Sequence, residues 1–89
     1  MPWSFSPQNI KIPAMEKDMN KDQLKALGAK IKEVRRQQPN LSQEQLALVA
    51  NVDRSFISRL ERGIANPSYL MLLQIATALK KPLKEILPD

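Results

Sequence analysis

Residues 41–63 read LSQEQLALVANVDRSFISRLERG, and the fold turns on how this stretch divides. Leu46, Ala47, Val49 and Ala50 supply an apolar side at helical spacing after Ser42. Ser42 and Gln45 have the spacing of a capping box, in which the hydroxyl accepts from the Gln45 amide. Asn51 then breaks the pattern, and asparagine is second only to glycine in tolerating the left-handed backbone of a tight turn. Asp53 stands where it can cap a further helix, residues 54–62, which Gly63 stops. The stretch predicts two short helices joined by a turn of about three residues.

The second of these helices has two unlike sides. At about 100° per residue, Arg54, Ser58, Arg62, Ser55 and Arg59 fall within an arc of about 140°. Phe56, Ile57 and Leu60 cluster opposite, with Glu61 at the edge of the basic arc toward the buried side. Such a helix is anchored by one face and presents guanidiniums and hydroxyls on the other. Taken alone, the basic face is equally a solvated surface. Its place directly after a short helix and a tight turn favours a role in contacting DNA.

Outward from this unit, Leu24, Leu27, Ile31 and Val34 mark one face of a helix running from Asp22, with Asn20 and Gln23 as a cap, to Pro39 and Asn40. On the other side, Asn66, Pro67 and Ser68 open a fourth helix that runs to about Leu79, with Tyr69, Leu72, Leu73, Ala76 and Leu79 on one face. Leu83, Ile86 and Leu87 suggest a last short helix. Residues 1–20 hold Pro2, Pro7 and Pro13 and keep no helical or alternating pattern. Trp3, Phe5, Ile10 and Ile12 are unusual for a solvated tail, so this arm is expected to dock on the domain or on a second subunit. The expectation is all-α: an extended arm over residues 1–21, then a compact five-helix domain over residues 22–89.

Composition narrows the function. The chain of 89 residues has room for one domain with a small core. With no cysteine and no histidine, disulfides, zinc sites and histidine acid–base chemistry are excluded, and no metal or cofactor is expected. Only two glycines are present and no phosphate-cradling loop, so an enzyme is not expected. No apolar run approaches the ~20 residues of a membrane span, and no secretory signal opens the chain, so the expected compartment is the cytoplasm, at the nucleoid. The net charge of +5 favours a polyanionic partner. The charge is placed unevenly: residues 21–38 carry +4 and residues 54–62 carry +2, whereas residues 39–53 carry −2.

The stretch 41–63 resembles the helix-turn-helix of the Cro/C1 repressor family, also called the XRE family. The resemblance rests on Gln43 opening the first motif helix, Leu46-Ala47 within it, Ala50 before the turn, Val52 after it, Ile57 and Leu60 in the second helix, and the closing Glu61-Arg62-Gly63. It extends through NPSYLMLLQIATALKKPLKEIL and covers residues 22–87. Asn51 departs from the family's usual turn glycine, and Phe56 stands where a small residue or tyrosine is common; packing of Phe56 on the domain is the favoured reading. The resemblance implies that Arg54, Ser55, Ser58 and Arg59 face base edges and that Arg62 reaches a base or the backbone. It implies that Ser42 and Gln43, with the amides at that helix start, hold one phosphate, and that Asn66 and Ser68 hold a second. Helix N-termini do attract phosphate through free N–H groups. It also implies that Arg36 pairs with Glu61.

Leu70 and Met71 are apolar where the family is usually polar, and the family dimer commonly forms near Lys80 to Leu87. Leu70, Met71, Leu83, Ile86 and Leu87 are therefore candidates for a dimer or arm contact. The alternative is that they complete the core. The leading functional expectation is a sequence-specific regulator of transcription, a repressor that binds a palindromic operator in double-stranded DNA as a homodimer. A phage repressor or a controller of a restriction–modification operon would fit this class. A second class is an antitoxin, in which the arm binds a toxin and the chain represses its own operon.

Overall fold

A computed structural model of the chain describes residues 19–88. The expected arm, with Trp3, Phe5, Ile10 and Ile12, lies outside the described residues, apart from its last three positions. The described residues form four α-helices and no strand: α1 (Lys21–Arg36), α2 (Gln43–Ala50), α3 (Arg54–Glu61) and α4 (Tyr69–Leu79). A 3-10 turn, Leu83–Glu85, stands where the sequence suggests a fifth helix. Pro82 precedes that turn, and Pro88 follows soon after, so the segment between them is too short for a regular helix.

The start of each helix is decided locally. At α1 the capping box is complete: Gln23 N–H donates to Asn20 Oδ1 at 2.8 Å, and Asn20 N–H donates to Gln23 Oε1 at 3.0 Å. At α2 only the first half forms, Gln45 N–H to Ser42 Oγ at 3.0 Å. Asp53 occupies the cap position of α3, but its side chain makes no cap hydrogen bond. At α4 the helix begins at Tyr69, later than the sequence suggests. Ser68 is the cap and accepts from Met71 N–H at 3.1 Å. Pro67 is thus a buried residue of the approach to α4 and not part of its first turn.

Three helix ends share one geometry. A residue with positive φ follows the helix, and the two N–H groups at the end turn back on the last carbonyls. After α2 the left-handed residue is Asn51, with φ 62°, and Val52 N–H reaches Ala47 O at 3.0 Å. After α3 it is Gly63, with φ 79°, and Ile64 N–H reaches Arg59 O at 3.0 Å. After α4 it is Lys80, with φ 60°, and Lys81 N–H reaches Ala76 O at 3.0 Å. Asn51 therefore takes the part of a turn glycine. Lys80 holds this backbone without the help of a short polar side chain.

The core is aliphatic. Leu27, Ile31, Leu46, Ile57, Leu60, Leu72, Ile75, Leu79 and Ile86 are fully buried. Each such side chain stabilises the fold by about 1.5–3 kcal/mol. α3 packs on both α1 and α2, α2 also packs on α4, and the 3-10 turn closes against α4. Gly28 lets α1 approach α3. A Cβ at this position would meet the carbonyl oxygens of Leu60 and Glu61, the latter at 2.8 Å.

Several apolar residues face other ways than the sequence suggests. Val49 of α2 and Tyr69 of α4, expected on apolar faces turned inward, are exposed, and Leu73 is only half-buried. The core face of α4 is Leu72, Ile75, Ala76 and Leu79, with Ala78 also buried. Ile86, a candidate for a dimer contact, is instead fully buried in the core of this chain. Leu83 and Leu87 are partly buried against the same core, whereas Leu70 stays 65% exposed and Met71 is half-buried.

Candidate nucleic-acid interface

α3 is anchored by Ile57 and Leu60, both at 0% exposure. This fixes the direction of everything else on the helix. Arg54, Ser55, Arg59 and Arg62 are exposed, and Ser58 is half-buried. Phe56 packs partly against the core, in agreement with the favoured reading, and the Arg59 guanidinium lies over its ring at 5.7 Å from the centroid. That contact restrains a long side chain before any ligand arrives.

The neighbouring helix completes the surface. Gln43, the first residue of α2, lines an open cleft of about 260 Å³ together with Arg54, Ser55 and Ser58. Four residues singled out from sequence on two different helices thus meet in one place. Ser42 is exposed and its hydroxyl caps α2. Asn66 and Ser68 are exposed at the approach to α4, where the Ser68 hydroxyl caps that helix. The first-turn amides of α2 and α4 not taken by these caps have no intrahelical partner and are open to an anion.

Glu61 ends α3 and is buried, with its side chain 2% exposed. Its partner is Arg35, not Arg36. Arg35 Nε donates to Glu61 Oε2 at 2.7 Å and Arg35 Nη2 to Oε1 at 3.1 Å, a two-pronged contact. Arg35 Nη1 donates to Leu41 O at 3.0 Å, which ties the loop between α1 and α2 to the same arginine. Arg36 is exposed. The reason is helical phase. Gly28, at which α1 meets the backbone of Leu60 and Glu61, lies seven residues before position 35, about two full turns. Position 36 is a further ~100° around the helix.

Gln38 is a contact that the sequence does not announce. Its Nε2 donates to Leu79 O at 2.6 Å. That bond satisfies a carbonyl at the end of α4 and links it to the α1–α2 loop. For Gly28 a signal is present: a glycine in the middle of a helical pattern costs stability unless close packing requires it. Nothing in the sequence marks Gln38.

Two short helices joined at a left-handed Asn51, the second anchored by its aliphatic side and presenting arginines, define a helix-turn-helix unit. A family model described as helix-turn-helix matches residues 31–86. The chain belongs to this helix-turn-helix family, of the Cro/C1 type, and is a DNA-binding regulator of transcription. Among its relatives is control protein C.MunI from a Mycoplasma species, 36% identical over 62 residues that span 70% of this chain and 84% of the relative. Control protein C.BamHI from Bacillus amyloliquefaciens is 37% identical over 60 residues, 67% of this chain and 74% of the relative. Among solved structures, the restriction–modification controller protein C.AhdI from Aeromonas hydrophila matches with a TM-score of 0.70 and 37% identity, over 73% of this chain and 97% of that one.

Proposed function

We propose that this chain is a controller of a restriction–modification operon, which acts as a homodimer on a palindromic operator and represses transcription by occupying the promoter. The observation that carries the reading is the outward face of α3. Ile57 and Leu60 are wholly buried, so the guanidiniums of Arg54, Arg59 and Arg62 are directed to solvent beside Ser55 and Ser58. An α-helix fits the major groove, and arginine forks pair with guanine O6 and N7. In this reading Arg54, Ser55, Ser58 and Arg59 face base edges and Arg62 a base or the backbone. The free amides at Ser42 and Gln43, and those beside Asn66 and Ser68, hold phosphates on either side.

The relatives named above are controllers, which supports this reading within the wider class of regulators. The antitoxin alternative has no comparable support, and the arm that would hold a toxin lies outside the described residues. The exposed Leu70, with the half-buried Met71, Leu83 and Leu87, is the surface we assign to the second subunit. A dimer would then read two half-sites about one helical turn apart, ~34 Å. The cytoplasm is where such a protein would act.

The test is selection of duplexes from a random library by the full chain, followed by titration of the selected duplex at several salt concentrations. The expected result is an inverted repeat with a steep loss of affinity as salt rises. Selection of no common sequence, or of a single unrepeated half-site, would contradict the reading.

A further inference from the structure

Among the described residues, no hydrogen bond or ion pair holds the side chain of Arg54, Arg59 or Arg62, whereas Arg35 is tied at every nitrogen of its guanidinium. Of the three outward arginines, Arg59 is the one whose guanidinium lies over an aromatic ring, 5.7 Å from the centroid of Phe56. Positions 56 and 59 are three residues apart and so are neighbours on the helix surface. The ring does not swing with the arginine, because Phe56 is half-buried and packed against the core. One end of the contact is thus fixed by the fold, and the other is exposed.

The ring occupies one face of the guanidinium. The N–H donors of an arginine lie in the plane of the group and point outward from its edges. Pairing with guanine O6 and N7 uses two of those edge donors. Stacking on Phe56 and pairing with a base therefore draw on different parts of Arg59 and do not compete.

We infer that Phe56 is a positioning residue for base recognition: its core-anchored ring holds the Arg59 guanidinium by one face, which leaves the donor edges free for guanine. An arginine free to swing also reaches phosphates, and those contacts carry no sequence information. Confining Arg59 therefore serves the choice of base as well as affinity. The inference rests on the outer face of α3 being the DNA interface.

Phe56→Leu keeps an apolar side chain on the core and removes the ring, whereas Phe56→Tyr keeps both. On the duplex selected by the wild type, Phe56→Leu is expected to lose about fourfold in affinity and Phe56→Tyr less than about 1.5-fold. In an Arg59→Ala background, Phe56→Leu is expected to change affinity by less than about 1.5-fold, since no guanidinium is left to hold. The base pair read by Arg59 is the one at which Arg59→Ala loses its preference. There Phe56→Leu is expected to favour the same base, with discrimination reduced by about two- to fourfold. In the free protein, the Arg59 Hε resonance should be shifted upfield by the ring and should move downfield in Phe56→Leu. Thermal melting of each variant is measured alongside. Should Phe56→Leu melt below the assay temperature, Phe56→Met, which is apolar and adaptable but has no ring, is compared in the same two backgrounds.

An Arg59 Hε resonance unmoved by loss of the ring, an unchanged or higher affinity, or an equal loss with and without Arg59 would overturn the inference. The last result would make Phe56 a residue of the fold or a direct contact to DNA. Arg59→Ala alone separates the two levels. If it binds as well as the wild type, the DNA face itself is misassigned. If it binds poorly while the Phe56 and Arg59 effects simply add, only the positioning role falls.

Discussion

Replacing Gly28 by alanine sets two effects of opposite sign against each other. In the middle of a helix, alanine is more favourable than glycine by about 0.5–1 kcal/mol. On propensity alone Gly28→Ala should raise the stability of α1. The structure predicts the reverse. The new Cβ would lie 2.8 Å from Glu61 O and 3.0 Å from Glu61 C, and nearer still to Leu60 O. All three are backbone atoms of α3, held in place by Leu60, which is fully buried. No side chain can swing aside, so α1 and α3 must move apart. Overpacking of this kind costs about 1–3 kcal/mol, and more where backbone must shift. Because the clashing atoms are backbone, the cost lies in the upper part of that range, and the net effect is a loss of about 1–2 kcal/mol after the propensity gain is taken off. For a domain of this size that lowers Tm by roughly 5–15 °C. Circular dichroism during heating, with urea unfolding to check that the slope is unchanged, measures it directly. A variant that melts at or above the wild-type temperature would refute the close approach of α1 and α3, and with it the packing that orients α3.

The same geometry sets four other outcomes. Arg35→Ala should destabilise the fold by about 3–5 kcal/mol in urea titrations, because it leaves the Glu61 carboxylate buried with only Gln43 beside it, whereas Arg36→Ala should stay within about 0.5 kcal/mol of the wild type. Lys80→Gly should raise stability by about 1 kcal/mol, since Lys80 holds φ 60° at the end of α4; a lower Tm would count against that backbone. Arg59→Ala should weaken binding to the selected duplex by about 1–3 kcal/mol in anisotropy titrations, with an unchanged circular dichroism spectrum. Leu70→Ser should shift sedimentation toward the monomer without lowering the helix content, and an unchanged dimer would remove Leu70 from the interface.

Much of this molecule can be read from its residues because the decisive signals are local. Asn20 and Ser42 bond to amides only three residues away, and such bonds depend on little else. Asn51 is recognisable because few residues accept φ 62°. The basic face of α3 follows from periodicity, since Ile57 and Leu60 leave only one way for the helix to be anchored. What the sequence does not disclose is tertiary. Choosing between Arg35 and Arg36 needs the phase of α1 against α3, and that is set by contact at Gly28, not by any pattern within α1. Val49 and Tyr69 read as inward-facing because they are apolar, but apolar residues on a small domain often remain outside. The family resemblance makes Ile86 a candidate contact for a second subunit, yet the chain turns back after Lys80 and seats it in the core.

All of the functional assignments depend on α3 being the element that meets DNA. Titration of the 15N-labelled chain with the selected duplex, followed by amide NMR, tests this without any substitution. The largest shifts are expected at Gln43, Arg54, Ser55, Ser58 and Arg59, with a second group from Asn66 to Tyr69. Shifts confined to the other basic surfaces, around Lys30 and Lys32 on α1 or Lys80, Lys81 and Lys84 beyond α4, with α3 unchanged, would contradict that role.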